Sequence, residues 1–168
     1  MWKAKAPSNI ALIKYMGKTN TSGNRPTNAS LSYTLPHFIT EVQIESHDKD
    51  EWQPFEKQGY YVHLSSKGQE RFLKFFAELK QMFGIQGNYQ VQSANNFPSD
   101  CGLASSASSF AALTKATSLV ALEKGDGKRR SPSDLSKMSQ LGSGSSCRSF
   151  FEPWAVWQNE GAEEIELE

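Results

Sequence analysis

From Gly102 to Glu123 the chain carries its apolar residues at helical spacing, with Leu103, Ala107, Phe110, Leu113, Ala116 and Val120 on one face. Its neighbours on the flanks of that face, Ala104, Ala111 and Ala112, are small. A helix of this kind buries little side-chain bulk of its own. It needs a close partner surface, and a sheet supplies one. The rest of the sequence must therefore provide strands.

Trp2 to Met16 reads as an extended segment broken at Pro7, with Ile10, Leu12 and Ile13 as core candidates. Ser30 to Leu35 and Thr40 to Glu45 each alternate apolar and polar residues with period two, as half-buried strands do. Tyr60 to Leu64 and Tyr89 to Ser93 read as further strands. Between them Phe72, Phe75, Phe76, Leu79, Met82 and Phe83 return to helical spacing, with a Ser66/Gln69 capping box before them and Gly84 as the stop. This aromatic stripe is read as core. Ser131-Pro132 opens another helix, with proline at its first position. Trp154 to Trp157 and Ile165 to Leu167 suggest strands near the end. There are no repeats and no steady βαβ alternation, so the expected class is α+β, with helices on a mixed, mostly antiparallel sheet.

Hydrophobic residues make up 38% of the chain, charged ones 21%, and the formal net charge is +0. That balance argues against a nucleic-acid coat or an anionic membrane binder, and the basic run Lys128-Arg129-Arg130 is read as a solvated loop. No secretory leader opens the chain, and no apolar run nears the roughly 20 residues needed to span a bilayer. A cytoplasmic location follows as the expectation. Cys101 and Cys147, with the scattered His37, His47 and His63, form neither a zinc pattern nor a disulfide framework. Reduced, buried thiols are expected.

Three stretches carry chemistry. Asn96 to Ala107 joins a proline turn to Gly102 and to Ser105 and Ser106 at a helix start. Free N–H groups there attract phosphate, and the two hydroxyls add donors or a magnesium ligand. A capped helix start with no ligand reads the same way. Lys14-Tyr15-Met16-Gly17-Lys18 places two lysines around a glycine at a strand end, suited to a diphosphate or simply to solvent. Gly142 to Ser149 is a second Gly/Ser cradle, and it holds Arg148, which can grip a carboxylate through two parallel hydrogen bonds. A flexible linker would not run directly into Trp154 and Trp157. Two cradles and a basic strand end suggest two phosphate-bearing ligands in one cleft, the inventory of phosphoryl transfer.

Ala6 to Lys18 followed by Pro26 to Ser32, then Asn95 to Pro98 with Gly102 to Ala107, and then Gly142 to Ser149 resemble, in order, three signatures of the diphosphomevalonate decarboxylases of the GHMP kinase superfamily. The resemblance implies a ribosomal protein S5 domain 2-like fold. It implies an activity that uses ATP and Mg2+ to phosphorylate the tertiary hydroxyl of mevalonate 5-diphosphate, then releases phosphate and carbon dioxide to leave isopentenyl diphosphate. The implied ATP-binding residues are Asn9, Pro98, Gly102, Leu103, Ala104, Ser105 and Ser106, with Ser106 as the magnesium ligand. The implied substrate residues are Tyr15, Met16, Gly17, Lys18, Arg71 and Ser143, Gly144, Ser145, Ser146, Cys147 and Arg148. Arg148 would orient the carboxylate, and Lys14 would adjust the charge of the catalytic base.

The chain departs from the family at Met16, where tryptophan is common, and at Asp100-Cys101, where small neutral residues are usual. Family members continue into a second domain that supplies the catalytic aspartate. Residues 1–168 are therefore expected to be the amino-terminal ATP- and substrate-binding domain without its carboxy-terminal counterpart, and inactive alone. A homodimer and a separate carboxy-terminal chain remain as partners. The rival readings are a superfamily kinase acting on mevalonate or phosphomevalonate, and a non-catalytic truncated or split gene product.

Overall fold

The computed structural model describes residues 1–14, 17, 24, 26–61, 64–98 and 105–166. Its elements are β1 (Trp2–Ile13), β2 (Ser30–His47), β3 (Glu51–Pro54), α1 (Ser66–Phe83), β4 (Asn88–Asn95), α2 (Ser105–Lys124), α3 (Pro132–Gly142), a 3-10 helix (Gly144–Phe150), β5 (Trp154–Asn159) and β6 (Gly161–Ile165). The strands form one six-stranded sheet in the order β3-β4-β2-β5-β6, with β1 also on β2. Among the described residues β3 and β4 run parallel and the other pairs are antiparallel. This is the expected α+β class.

The two alternating stretches 30–35 and 40–45 belong to a single strand of 18 residues. β1 follows one edge of β2, while β5 takes residues 30–33 and β4 residues 40–47 of the other. Pro36 would interrupt an ordinary ladder because it has no N–H. Here the pairing jumps from Pro7↔Ile39 to Ser8↔Leu35, so Pro36, His37 and Phe38 lie in a bulge.

Helices cover one face of the sheet. Phe72, Phe75, Phe76, Leu79 and Phe83 of α1 are buried with Val42, Ile44 and Val91 of the strands and with the small face of α2. α2 is buried without a break from Ala107 to Thr114. Such depth is tolerable because its hydroxyls bond back to their own helix, Thr114 to the carbonyl of Phe110 (2.9 Å) and Thr117 to that of Leu113 (2.8 Å). α1 ends as expected at Gly84, whose φ of 66° is left-handed and lets Ile85 N–H reach the Lys80 carbonyl at 2.9 Å.

Several expectations are corrected. Ile10, Leu12 and Ile13 are 42%, 57% and 56% exposed, so they are not core. The buried part of β1 is Ala6 to Asn9. Ile10 instead heads a row paired across the sheet through Tyr33 and Trp154 to Ile165, on the face opposite the helices. Met82 is 40% exposed at the margin of the aromatic stripe. The cap of α1 is Ser65, which accepts from Gly68 N–H, one residue before the expected Ser66. Tyr60 to Leu64 shows only an isolated bridge, Tyr61↔Asn95, and Val62 and His63 lie outside the described residues. The last described strand is Gly161–Ile165, which starts before the expected Ile165, and Leu167 lies outside the described residues. Among the described residues no helix is long and apolar enough to cross a membrane.

Candidate substrate and nucleotide site

α3 begins with the Ser131/Asp134 capping box and runs into the Gly/Ser turn, which folds as a 3-10 helix rather than a loose loop. The glycine at 144 is required by close approach, since a Cβ there would sit 2.8 Å from Cη2 of Trp157. Trp157 is fully buried and donates its Nε1–H to Oε1 of Gln140 at 3.1 Å. The indole thus forms a rigid wall behind the turn, which is why tryptophans follow a glycine–serine run.

Arg148 is 4% exposed. Its Nε–H donates to Oδ1 of Asn9 at 3.2 Å, its Nη1 donates to Ser30 Oγ, and its guanidinium lies 5.9 Å from the Trp157 ring centroid. Asn9 is held in turn, donating through Nδ2 to Ser149 Oγ (2.8 Å) and to the Ser145 carbonyl (3.3 Å). Ser30 Oγ donates to the Ile13 carbonyl at 2.9 Å. Strand pairing of β1 with β2 therefore brings the first and third signatures together on one arginine.

Asn9, expected at ATP, is 1% exposed, and its amide is engaged with Arg148, Ser149 and Ser145. Ser146 and Cys147, expected at the substrate, are both fully buried. Ser146 Oγ bonds to the carbonyls of Ser143 and Ser139, and the Cys147 thiol to the Gly144 carbonyl. Burial pushes the Cys147 thiol up to about 12. These two side chains build the turn from within, while Ser145 remains half-exposed and Ser143 and Gly144 are buried at its start.

At the other end of the site, Ser105 is half-buried and Ser106 exposed at the start of α2. The Ser105 carbonyl accepts from Ser108 Oγ (3.1 Å) and Ser109 Oγ (2.8 Å), and Ser108 Oγ meets Thr40 Oγ1 at 2.7 Å. A cleft opens there, lined by residues that include Arg71, Asn95, Ser105, Ser106 and Ser109, with no carboxylate among the described lining residues. Arg71 stacks 4.8 Å over Phe110 and donates to the Gly142 carbonyl at 2.7 Å. It therefore stands between the α2 start and the third signature. Pro98 is exposed at the exit from β4.

Lys14 is exposed just beyond β1, and Gly17 accepts from Thr27 N–H at 3.1 Å. Tyr15, Met16, Lys18, Asp100, Cys101, Gly102, Leu103 and Ala104 lie outside the described residues. Among the described residues no group of three or more His, Cys, Asp or Glu could hold a metal ion. Ser30 and Trp157 had no assigned role in the sequence. The signal for Ser30 was its place on the inward-facing set Ser30, Ser32 and Thr34, all buried and polar.

The family model described as the diphosphomevalonate decarboxylase-like N-terminal domain matches residues 6–165. The diphosphomevalonate decarboxylase of Ganoderma lucidum is 40% identical over 167 residues, covering 92% of this chain and 40% of its own length. A crystal structure of a mevalonate diphosphate decarboxylase from Legionella pneumophila is 46% identical with a TM-score of 0.88, over 99% of this chain and 54% of that one. The mevalonate diphosphate decarboxylase of Enterococcus faecalis, solved in a study of mevalonate diphosphate-mediated ATP binding, is 35% identical with a TM-score of 0.82, over 98% and 51%. The chain thus spans about half or less of the relatives it matches, and within that span it belongs to the diphosphomevalonate decarboxylase family as its amino-terminal part.

Proposed function

We propose that residues 1–168 are the ATP- and substrate-binding domain of an enzyme that decarboxylates mevalonate 5-diphosphate to isopentenyl diphosphate. The observation that carries this reading is the buried guanidinium of Arg148, held by Asn9 and Ser30 against the Trp157 wall. Asn9 and Ser30 orient the guanidinium, and its planar fork matches a carboxylate. Arg148 would fix the substrate carboxylate, the Ser143–Ser145 turn and the Lys14–Lys18 segment its diphosphate. The cleft at Ser105 and Ser106 offers hydroxyls and an arginine, which suits the phosphates of ATP. Ser106, exposed at the α2 start, is the proposed magnesium ligand.

ATP supplies the phosphoryl group that turns the tertiary hydroxyl into a leaving group. This chain's part is positioning and charge neutralisation. Four of the described acids are held by partners away from the site: Asp50 by Lys80, Asp126 by Arg130, Asp134 in the α3 cap and Glu41 by Lys57; none of the described residues lining the Ser105 cleft is an acid. The group that accepts the hydroxyl proton is therefore proposed to come from outside the described residues.

The test is a titration of the 168-residue chain with mevalonate 5-diphosphate, phosphomevalonate and mevalonate, beside a coupled assay for ADP and carbon dioxide. Binding that prefers the diphosphate, without turnover, is expected. ADP formation without carbon dioxide would favour the kinase reading, and full turnover by this chain would refute the missing base.

A further inference from the structure

We infer that Asn24 is a positioning residue that, with Thr27 and Asn28, ties Lys14 and Gly17 to the end of α3 that leads into the Arg148 turn. It thereby sets the spacing between the groups proposed for the two ends of mevalonate 5-diphosphate, and in this it rests on the reading above.

Asn24 is the one non-glycine residue with positive φ (55°) among the described residues. Asparagine tolerates this left-handed region better than most side chains, because its short amide can bond locally or across a turn. Here the amide reaches across the molecule. Nδ2 donates to the carbonyls of Gln140 and Leu141, both at 2.9 Å, from 116 and 117 positions away.

Those carbonyls lie in the last turn of α3, where a helix has no amides of its own to offer. α3 also lacks the left-handed C-terminal residue that commonly fills them, since Ser143 is extended at φ −151°. The end of α3 is instead satisfied one carbonyl at a time. Ser139 accepts from Ser143 N–H, Gln140 and Leu141 from Asn24, and Gly142 from Arg71.

The anchor point is itself fixed. Gln140 is 2% exposed, and its Oε1 accepts from Trp157 Nε1 and from Gly161 N–H at 2.5 Å. Just after Asn24, Thr27 N–H donates to the Gly17 carbonyl (3.1 Å) and Asn28 Nδ2 to the Lys14 carbonyl (3.3 Å). Thr27 and Asn28 are thus tied to Gly17 and to Lys14 just beyond β1, and Asn24 to the helix that leads directly into the Arg148 turn. Each end of a two-ended anion would meet groups whose separation this tie fixes.

The test uses Asn24→Gly, which loses both donations while keeping the left-handed backbone free of strain, and Asn24→Ala as a second variant. Hydrogen exchange without ligand reads the clasp. The amides of Ser143 and Ser146 should exchange about tenfold faster or more in both variants, with the α1 amides unchanged. Calorimetric titration reads the spacing. The Kd for mevalonate 5-diphosphate should rise about tenfold or more, while that for inorganic diphosphate stays within about twofold. Equal weakening for both ligands in Asn24→Gly would reduce Asn24 to a local loop residue and overturn the inference, as would unchanged exchange. If the unaltered chain binds neither ligand, the functional reading falls, and the exchange result still decides the clasp on its own.

Discussion

Arg148 illustrates how a residue can be found from sequence while its setting cannot. A lone arginine in a Gly/Ser turn stands out in the chain, but its partners Asn9 and Ser30 lie 139 and 118 positions away. No local pattern connects them. Asn9→Ala would leave the buried Nε–H of Arg148 without this acceptor, at a cost of about 1–3 kcal/mol. The expected result is weaker binding of mevalonate 5-diphosphate with ATP binding intact, measured by titration. Gly144→Ala drives a methyl against Trp157 and should destabilise the fold by about 1–3 kcal/mol in urea unfolding. Cys147, buried and held protonated, should resist alkylation at pH 8–9 until the chain unfolds. Rapid labelling of the folded protein would show that the turn opens.

Helices were the most legible elements. The stripe of α1, the small face of α2 and the cap of α3 each follow from spacing and from one or two capping residues. Strand β2 was harder, because Pro36 is a strong breaker in sequence and only the bulge opposite Pro7 and Ser8 lets the strand continue. Exposure along β1 was misread for a related reason: apolar residues at a strand end face whatever the sheet offers them, and here the far face has no helices. The basic loop proves to be a clasp on α1. Arg130 packs 4.4 Å over Phe83 and pairs with Asp126, whose carboxyl is held at about 2, chiefly by that arginine and then by the Lys128 amide. A folded-state value below the usual 3.8 means that the contribution to stability is present above about pH 4 and is lost as pH falls toward 2. Asp126→Asn should therefore lower stability at neutral pH, and the gap to the unaltered chain should close below pH 3 in denaturation series.

For the molecule as a whole, fold class and family were readable because three signatures fall in order along one chain. What each signature touches was not, because sheet register decides it. If the domain binds as proposed, mevalonate 5-diphosphate at about a hundredfold over its Kd should add about 2.7 kcal/mol of stability. For a chain of this size that is a rise of about 5–10 °C in Tm, and a flat melting curve across the titration would deny it a binding role. One consequence of the β1 register remains. Asn9 touches Arg148, and three positions earlier Ala6 pairs with Thr40, whose hydroxyl meets Ser108 at the start of α2. Three strand residues span about 10 Å, so Ala6 to Asn9 act as a ruler between the end proposed for the carboxylate and the end proposed for the nucleotide. Substitutions along the ruler change its material. A single inserted residue would change its length and turn Asn9 to the opposite face of the sheet, so this stretch should accept new side chains far more readily than new residues.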